Sequence, residues 1–266
     1  MAGKELDATW LGLLGLRGDG RRLGEHRRIG VSTGQARSRH VDGSCELTMG
    51  LTRVVAHAMG PKQPLRRSDE VHDAGTLTVT ASVAPFAAIG ERSAGPRDRA
   101  ARDVAANCRR ALEKAVMLER YPRSTIAVHL HVLCDDGGAQ ACCVNAACLA
   151  LVDAGIFLRD VAAAASVAFY QGKVVADPQR DEERATTTLD AAVLPQFGTV
   201  LYVKLNGDAV TQADVETLTD AAVAAACEVG DVLAEEVRAG VAHAVDCLEA
   251  SAAASRPAPE DAPAPS

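Results

Sequence analysis

Residues 125–155, TIAVHLHVLCDDGGAQACCVNAACLALVDAG, carry the reading that decides the fold. Thr125–Cys134 has the composition and alternation of a strand. The run Asp135, Asp136, Gly137, Gly138 interrupts it. Ala139–Ala154 then reads as a helix of small residues, ended by Gly155, which suits a left-handed C-cap.

Working outward, Ser44–Met59 reads as two strands turning at Gly50, and Thr76–Val83 (TLTVTASV) alternates as a half-buried strand does. Asp98–Glu119 changes period, with Ala101, Val104, Cys108, Ala111, Leu112 and Ala115 on one helical stripe. Further strands are expected at Val161–Tyr170, Lys173–Ala176 and Thr199–Leu205. A last helix opens with Thr211 as N-cap and Asp214 as its partner and runs to about Ser251, with Gly230 as a candidate interruption. This order predicts an α+β chain of two similar halves, 17–155 and 156–251, each a sheet with helices on one face. Residues 1–16 read as a loosely attached arm, and 252–266 (AAASRPAPEDAPAPS) has the unpatterned composition of a disordered tail.

Across its 266 residues the chain is 48% apolar but only 3% aromatic, so its core has to be made of small, closely approaching side chains. No apolar stretch is long enough to span a bilayer and the first residues lack the order of a signal peptide, which points to an intracellular protein without membrane contact. The net charge of −7 is unevenly spread: residues 1–67 hold 12 Lys/Arg against 6 Asp/Glu, the remainder 16 against 29. Because charges beyond about 8 Å are largely screened at physiological salt, a local basic face can still bind phosphates. The eight cysteines include no CxxC pair, so buried thiols are expected, with a structural zinc site as the sharper but poorly spaced alternative. His26, His57, His72, His129, His131 and His243 show no metal-ligand spacing, and no cofactor is implied.

Several motifs occur in a fixed order. Arg17-Gly-Asp-Gly-Arg-Arg-Leu-Gly-Glu-His-Arg-Arg-Ile comes first, then Gly43-Ser-Cys-Glu-Leu-Thr-Met-Gly-Leu-Thr-Arg and Gly60-Pro-Lys. Gly90-Glu-Arg, Asp135-Asp-Gly-Gly-Ala-Gln-Ala-Cys-Cys-Val-Asn-Ala-Ala and Asp153-Ala-Gly-Ile-Phe-Leu-Arg-Asp follow. From about Arg17 to Leu248 this pattern resembles RNase PH-type proteins, in the form of the exosome ring subunit that is catalytic in archaea, and the Cys-Val-Asn-Ala-Ala wording resembles its eukaryotic version. The resemblance implies the RNase PH fold of two βαβα-type halves, ribosomal protein S5 domain 2-like, with mixed sheets packed against helices. It also implies a hetero-hexameric ring with other RNase PH-like subunits, RNA-binding cap subunits, a separate hydrolytic nuclease and single-stranded RNA threaded through the pore. The places of work it implies are the nucleus, including the nucleolus, and the cytoplasm.

Phosphorolysis needs an anion cradle for inorganic phosphate and a group to manage the leaving oxygen. In active relatives, the resemblance implies, the cradle joins helix N–H groups to a Ser/Thr and an Arg. Here the degenerate phosphate loop is Gly137, Gly138, Ala139 and Gln140, with Ala139 in place of the hydroxyl and Gln140 in place of the guanidinium. Two acidic residues are also expected after Val175-Ala176-Asp177 and before Pro195. Glu182 and Glu183 fall at the first position, Thr188 or Leu189 at the second, with Asp190 close by. These are vestigial catalytic candidates, and the chain is expected to be inactive. An active phosphate-dependent 3′→5′ exoribonuclease at a heterodimer interface is the alternative, and a free RNase PH trimming tRNA ends a weaker one.

The resemblance assigns Lys62, Arg66 and Arg67 to the pore constriction and Arg92, Arg97 and Arg99 to the RNA path, where an active-site arginine pair is reduced to Arg99 by Ala100. Backbone contacts of this kind position RNA without reading its sequence. Arg21, Arg22, Glu25, Arg27 and Arg28 are expected instead to fix the N-terminal segment structurally.

Overall fold

The computed structural model describes residues 17–34, 40–64, 71–87, 94–170, 172–207 and 211–254; side chains are described for all of these but 94–98, 243–244 and 247–254. The arm 1–16 and most of the expected tail lie outside the described residues.

Five strands make the first sheet: β1 (Ile29–Thr33), β2 (Gly43–Met49), β3 (Thr52–Lys62), β4 (Thr76–Val83) and β5 (Thr125–Cys134). Their order is β1-β2-β3-β5-β4, antiparallel except for the parallel β4–β5 pair. Period two is evident: Cys45, Leu47 and Met49 on β2, Val54, Ala56 and Ala58 on β3, and Ile126, Val128, Leu130 and Val132 on β5 all point into the core. The second sheet is antiparallel, in the order β7 (Lys173–Ala176), β6 (Ala163–Tyr170), β8 (Thr187–Leu194), β9 (Thr199–Asn206).

Among the described residues there are four α-helices, α1 (Ala94–Ala115), α2 (Ala139–Asp153), α3 (Arg180–Ala185) and α4 (Gln212–Ala254), and a 3-10 turn at Leu118–Arg120. Every residue of α2 from Gln140 to Leu151 is buried, which is what a helix without a polar face requires. It touches both sheets: Cys142 lies against the Leu47 carbonyl, and the Asn145 amide both donates to the Ala164 carbonyl (3.0 Å) and accepts from the Ala164 N–H (2.7 Å). Packing this close depends on missing side chains. A Cβ at Gly43 would stand 2.3 Å from the Ala154 nitrogen and 2.4 Å from the Ala150 oxygen.

Most expected elements are present, and Thr211 does cap α4 through its hydroxyl and Asp214. Three differences have physical reasons. The second sheet is covered on both faces, by α2 and α4, so it does not carry helices on one face only. Gly230 does not interrupt α4; a Cβ there would lie 2.5 Å from Pro195 Cγ, so the glycine lets the helix lie directly on the sheet. Helix α3 and strand β8, to which the sequence reading assigns no elements, are respectively very short and buried on both faces, so neither shows a clear period.

Replacing Gly43 with Ala forces a methyl into the α2 backbone, where nothing flexible can yield. Urea unfolding is expected to show a loss of about 2–3 kcal/mol; an unchanged midpoint would mean the β2–α2 contact is looser than described.

Candidate functional site

The loop between β5 and α2 is held from three sides. Thr52, at the start of β3, donates its hydroxyl to the Gly137 carbonyl (2.7 Å) and accepts from the Asp136 N–H (3.1 Å). Arg27 donates to the carbonyls of Asp136 (2.8 Å) and Gly137 (2.9 Å). Arg180, on α3, pairs with the Asp135 carboxylate at 2.7 Å. The chain bends here through Gly137 (φ 89°) and Gly138 (φ 65°), a region that favours glycine. At Gly137 the approach of another segment adds a second demand, since a Cβ would meet the Pro178 oxygen at 2.6 Å.

Arg27 is itself fixed by Asp177, which follows β7. Its Nη2 and Nε donate to the two carboxylate oxygens at 2.6 and 2.8 Å, and its own backbone N–H to Oδ2 at 2.9 Å. Both partners are buried. Burial alone would raise the Asp177 carboxyl, but the hydrogen bond and charge of Arg27, helped by Arg21, hold it below the ordinary carboxylate range. Asp177 takes a left-handed φ of 49°, which presents the carboxylate to Arg27 and its carbonyl to Arg17 (2.9 Å). Arg17, also buried, donates to the Ala176 carbonyl at 2.7 Å and forms an ion pair with Glu182. The arginine-rich N-terminal segment is thus a set of braces between the two halves of the chain.

These contacts sort the expected site residues. Glu182 is turned away from the glycine loop: it pairs with Arg17 and closes the capping box of α3 with Gln179. In this chain its carboxylate is engaged by the Arg17 guanidinium and the Gln179 N–H. Glu183 does reach the loop, and its Oε1 accepts the Gly138 N–H at 2.6 Å. Burial pushes its carboxyl up to about 7; the Gly138 hydrogen bond opposes this, while the charges of Asp190 and Asp135 add to it. Asp190 lies on β8 opposite Ser166 and Lys204, 5% exposed, and burial raises its carboxyl as well. Gln140 is buried and turned toward α1, accepting from the Asn107 amide (3.4 Å) and lying 3.7 Å from Cys108 Sγ. The loop therefore offers Gly138 to the chain's own Glu183, and neither Ala139 nor Gln140 supplies a polar group to it.

Among the expected RNA-path residues, Lys62 ends β3 with its side chain half exposed, donating to the His40 carbonyl (3.1 Å) and lying 3.6 Å from Asp42. Arg99 is exposed on α1. Arg66, Arg67 and Arg92 lie outside the described residues, as does the side chain of Arg97. The sequence by itself singles out none of Thr52, Asp177 and Arg180 as site residues. The run of arginines before β1 signalled that a buried acidic partner had to exist.

An acid whose folded pKa is raised costs stability as pH climbs from its ordinary value, 4.5, through about 7. Glu183→Gln keeps an oxygen for Gly138 without that cost. Its stability relative to the parent chain is expected to rise from near zero at pH 4 to about 3 kcal/mol at pH 8 in denaturant unfolding; a flat difference would show that Glu183 is not held this way.

Comparison with known proteins places this geometry. The model of the 3′ exoribonuclease family, domain 1, matches residues 25–157, and that of domain 2 matches 160–225. The human exosome complex component RRP41 is 36% identical over 249 residues, which cover 92% of this chain and 98% of that protein. The exosome complex component ski6 of Schizosaccharomyces pombe is 34% identical over 73% of this chain and 80% of its own length. Among solved structures, rice Rrp46 superposes with a TM-score of 0.69 at 23% identity, covering 82% of this chain and 98% of that one. A chain of the Archaeoglobus fulgidus exosome, with RNA bound to the active site, gives 0.68 at 24%, covering 84% and 92%. The two family models together match most of the chain, which belongs to the 3′ exoribonuclease (RNase PH) family, with RRP41-type exosome components among its relatives.

Proposed function

We propose that this chain is a core ring subunit of an RNA exosome that has lost phosphorolysis and serves as scaffold and RNA conduit, chemistry being left to associated nucleases. The observation that carries this reading is the 2.6 Å hydrogen bond from Gly138 N–H to Glu183. Inorganic phosphate would have to displace a carboxylate from the amide that faces it. It would gain no hydroxyl and no guanidinium in return, because Ala139 and the buried Gln140 offer neither. Losing a charge-assisted, bidentate arginine contact removes the strongest side-chain grip on a phosphate. Asp190 is 5% exposed on β8, facing Ser166 and Lys204 across the sheet.

The conduit role rests on cations. Lys62 and Arg99 are exposed, and with Arg66, Arg67, Arg92 and Arg97 they would touch the phosphates of a passing strand without selecting its bases. The net charge of −7 is no obstacle, since the basic residues concentrate in the first quarter of the chain.

Two measurements test this. A ring reconstituted from this chain and its partner subunits, given single-stranded RNA and inorganic phosphate, is expected to release no nucleoside diphosphate above background. Release that disappears in Asp190→Ala or Glu183→Ala would overturn inactivity. Reversing Lys62, Arg66 and Arg67 together to Glu is expected to slow RNA passage about tenfold in the assembled ring, each lost phosphate contact weakening affinity and its salt dependence; unchanged passage would refute the conduit role.

A further inference from the structure

Three of the chain's seven histidines share one face of the first sheet. His57 on β3 stands directly opposite His129 on β5 and diagonal to His131, two residues further along the same strand. Alternation puts all three on the side away from the core-facing Ala56, Ala58, Val128 and Leu130. Side chains opposite one another on antiparallel strands have Cβ atoms about 5 Å apart, and diagonal neighbours about 7–8 Å, which rings can still bridge. The rings of His57 and His131 do so, with centroids 5.8 Å apart and planes inclined at 60°.

The rings on β5 are oriented from their other side. Thr80 Oγ1 of β4 lies 2.5 Å from His129 Nδ1, and Ser82 Oγ 2.6 Å from His131 Nδ1. The two nitrogens of an imidazole point in nearly opposite directions, so both Nε2 atoms face away from β4, to the side on which His57 stands. With Nδ1–H donating to the hydroxyl, each Nε2 keeps its lone pair; a partner on the second nitrogen is what orients metal-bound imidazoles. His57 adds an unanswered atom, since its Nδ1 is buried and has no hydrogen-bond partner among the described residues. A buried polar atom left in this way costs stability unless water or an ion meets it. Glu46 and Arg53, on the same face, are paired with each other, so neither meets it.

We propose that His57, His129 and His131 form a binding site for a divalent transition-metal ion of the zinc class, with Thr80 and Ser82 as the groups that orient two of its three imidazoles. Nitrogen ligands of this kind suit zinc, and three of them leave its fourth position open to solvent. A zinc–nitrogen bond of about 2.0–2.1 Å puts each ring centre roughly 3.2 Å from the ion, so two rings on one tetrahedral ion stand roughly 5 Å apart. Among the described residues no three ligand groups already meet at one point. Binding therefore draws the rings together, and the 5.8 Å pair closes by a turn of His131, which is exposed and free to rotate. The site shares no residue with the glycine loop and does not rest on the reading built on that loop.

The test uses the full-length chain, freed of metal with a chelator and titrated with zinc chloride by calorimetry at neutral pH. One equivalent is expected to bind, with a dissociation constant of about 1 μM or tighter. His57→Gln and His131→Gln should each weaken binding about tenfold or more. Thr80→Ala combined with Ser82→Ala, which leaves all three ligands in place, should weaken it about tenfold. Cys134→Ser, which removes the exposed thiol at the end of β5, should change nothing. In the unaltered chain, zinc should shift the ring resonances of His57, His129 and His131 together, and cobalt(II) should show the visible absorption of a tetrahedral nitrogen site without a thiolate charge-transfer band. These two readings decide the matter even if a variant fails to fold. No stoichiometric binding, binding unchanged when His57→Gln and His131→Gln are combined, a thiolate band with cobalt, or loss of binding in Cys134→Ser would each overturn the site.

Discussion

The bidentate pair between Arg27 and Asp177 is the constraint on which the rest of the site depends. It joins the segment before β1 to the end of β7, and through its remaining donors Arg27 fixes the carbonyls of Asp136 and Gly137. Isolated buried ion pairs often barely repay their desolvation. This one differs because all three guanidinium nitrogens of Arg27 have acceptors, so removing either partner would leave a buried charge and two unclamped segments together. The position of the glycine loop is thus set from both halves of the chain at once.

What that loop can accept is set by the side chains around it as well as by its backbone. Gly137 and Gly138 keep the left-handed bend that aims an amide outward. The acid on α3 that approaches from the second half now bonds to that amide, and burial raises its carboxyl toward neutrality. The same short helix divides labour between adjacent residues: Glu182 braces Arg17, while Glu183 faces the loop. The frame around the loop also holds the two sheets together.

Much of this was legible in the sequence where one periodicity or one residue type dominates. The strands with one buried face, the capped α4 and the all-small α2 announce themselves, and the arginines before β1 read as braces before their partners were known. What stayed hidden had no local signal. β8 is buried on both faces and so shows no alternation, and α3 is barely more than one turn. The assignment of Glu182 and Glu183 to different neighbours depends on which way a six-residue helix is rotated, a tertiary fact that spacing along the chain does not encode. Asp177 likewise gains its role only when β7 is brought against Arg27. The motif resemblance supplied the frame, and the packing supplied the roles within it.

The central claim is that the Gly138 amide is occupied by Glu183 and is closed to phosphate. The most direct measurement is the nuclear magnetic resonance of that amide in the full-length chain, followed as pH and then inorganic phosphate are varied. The account predicts that the Gly138 signal titrates with a midpoint of about 7, in step with the Glu183 carboxyl, and stays put when phosphate is added at constant pH and ionic strength. A Gly138 signal insensitive to pH across that range, yet shifting saturably with phosphate, would contradict it.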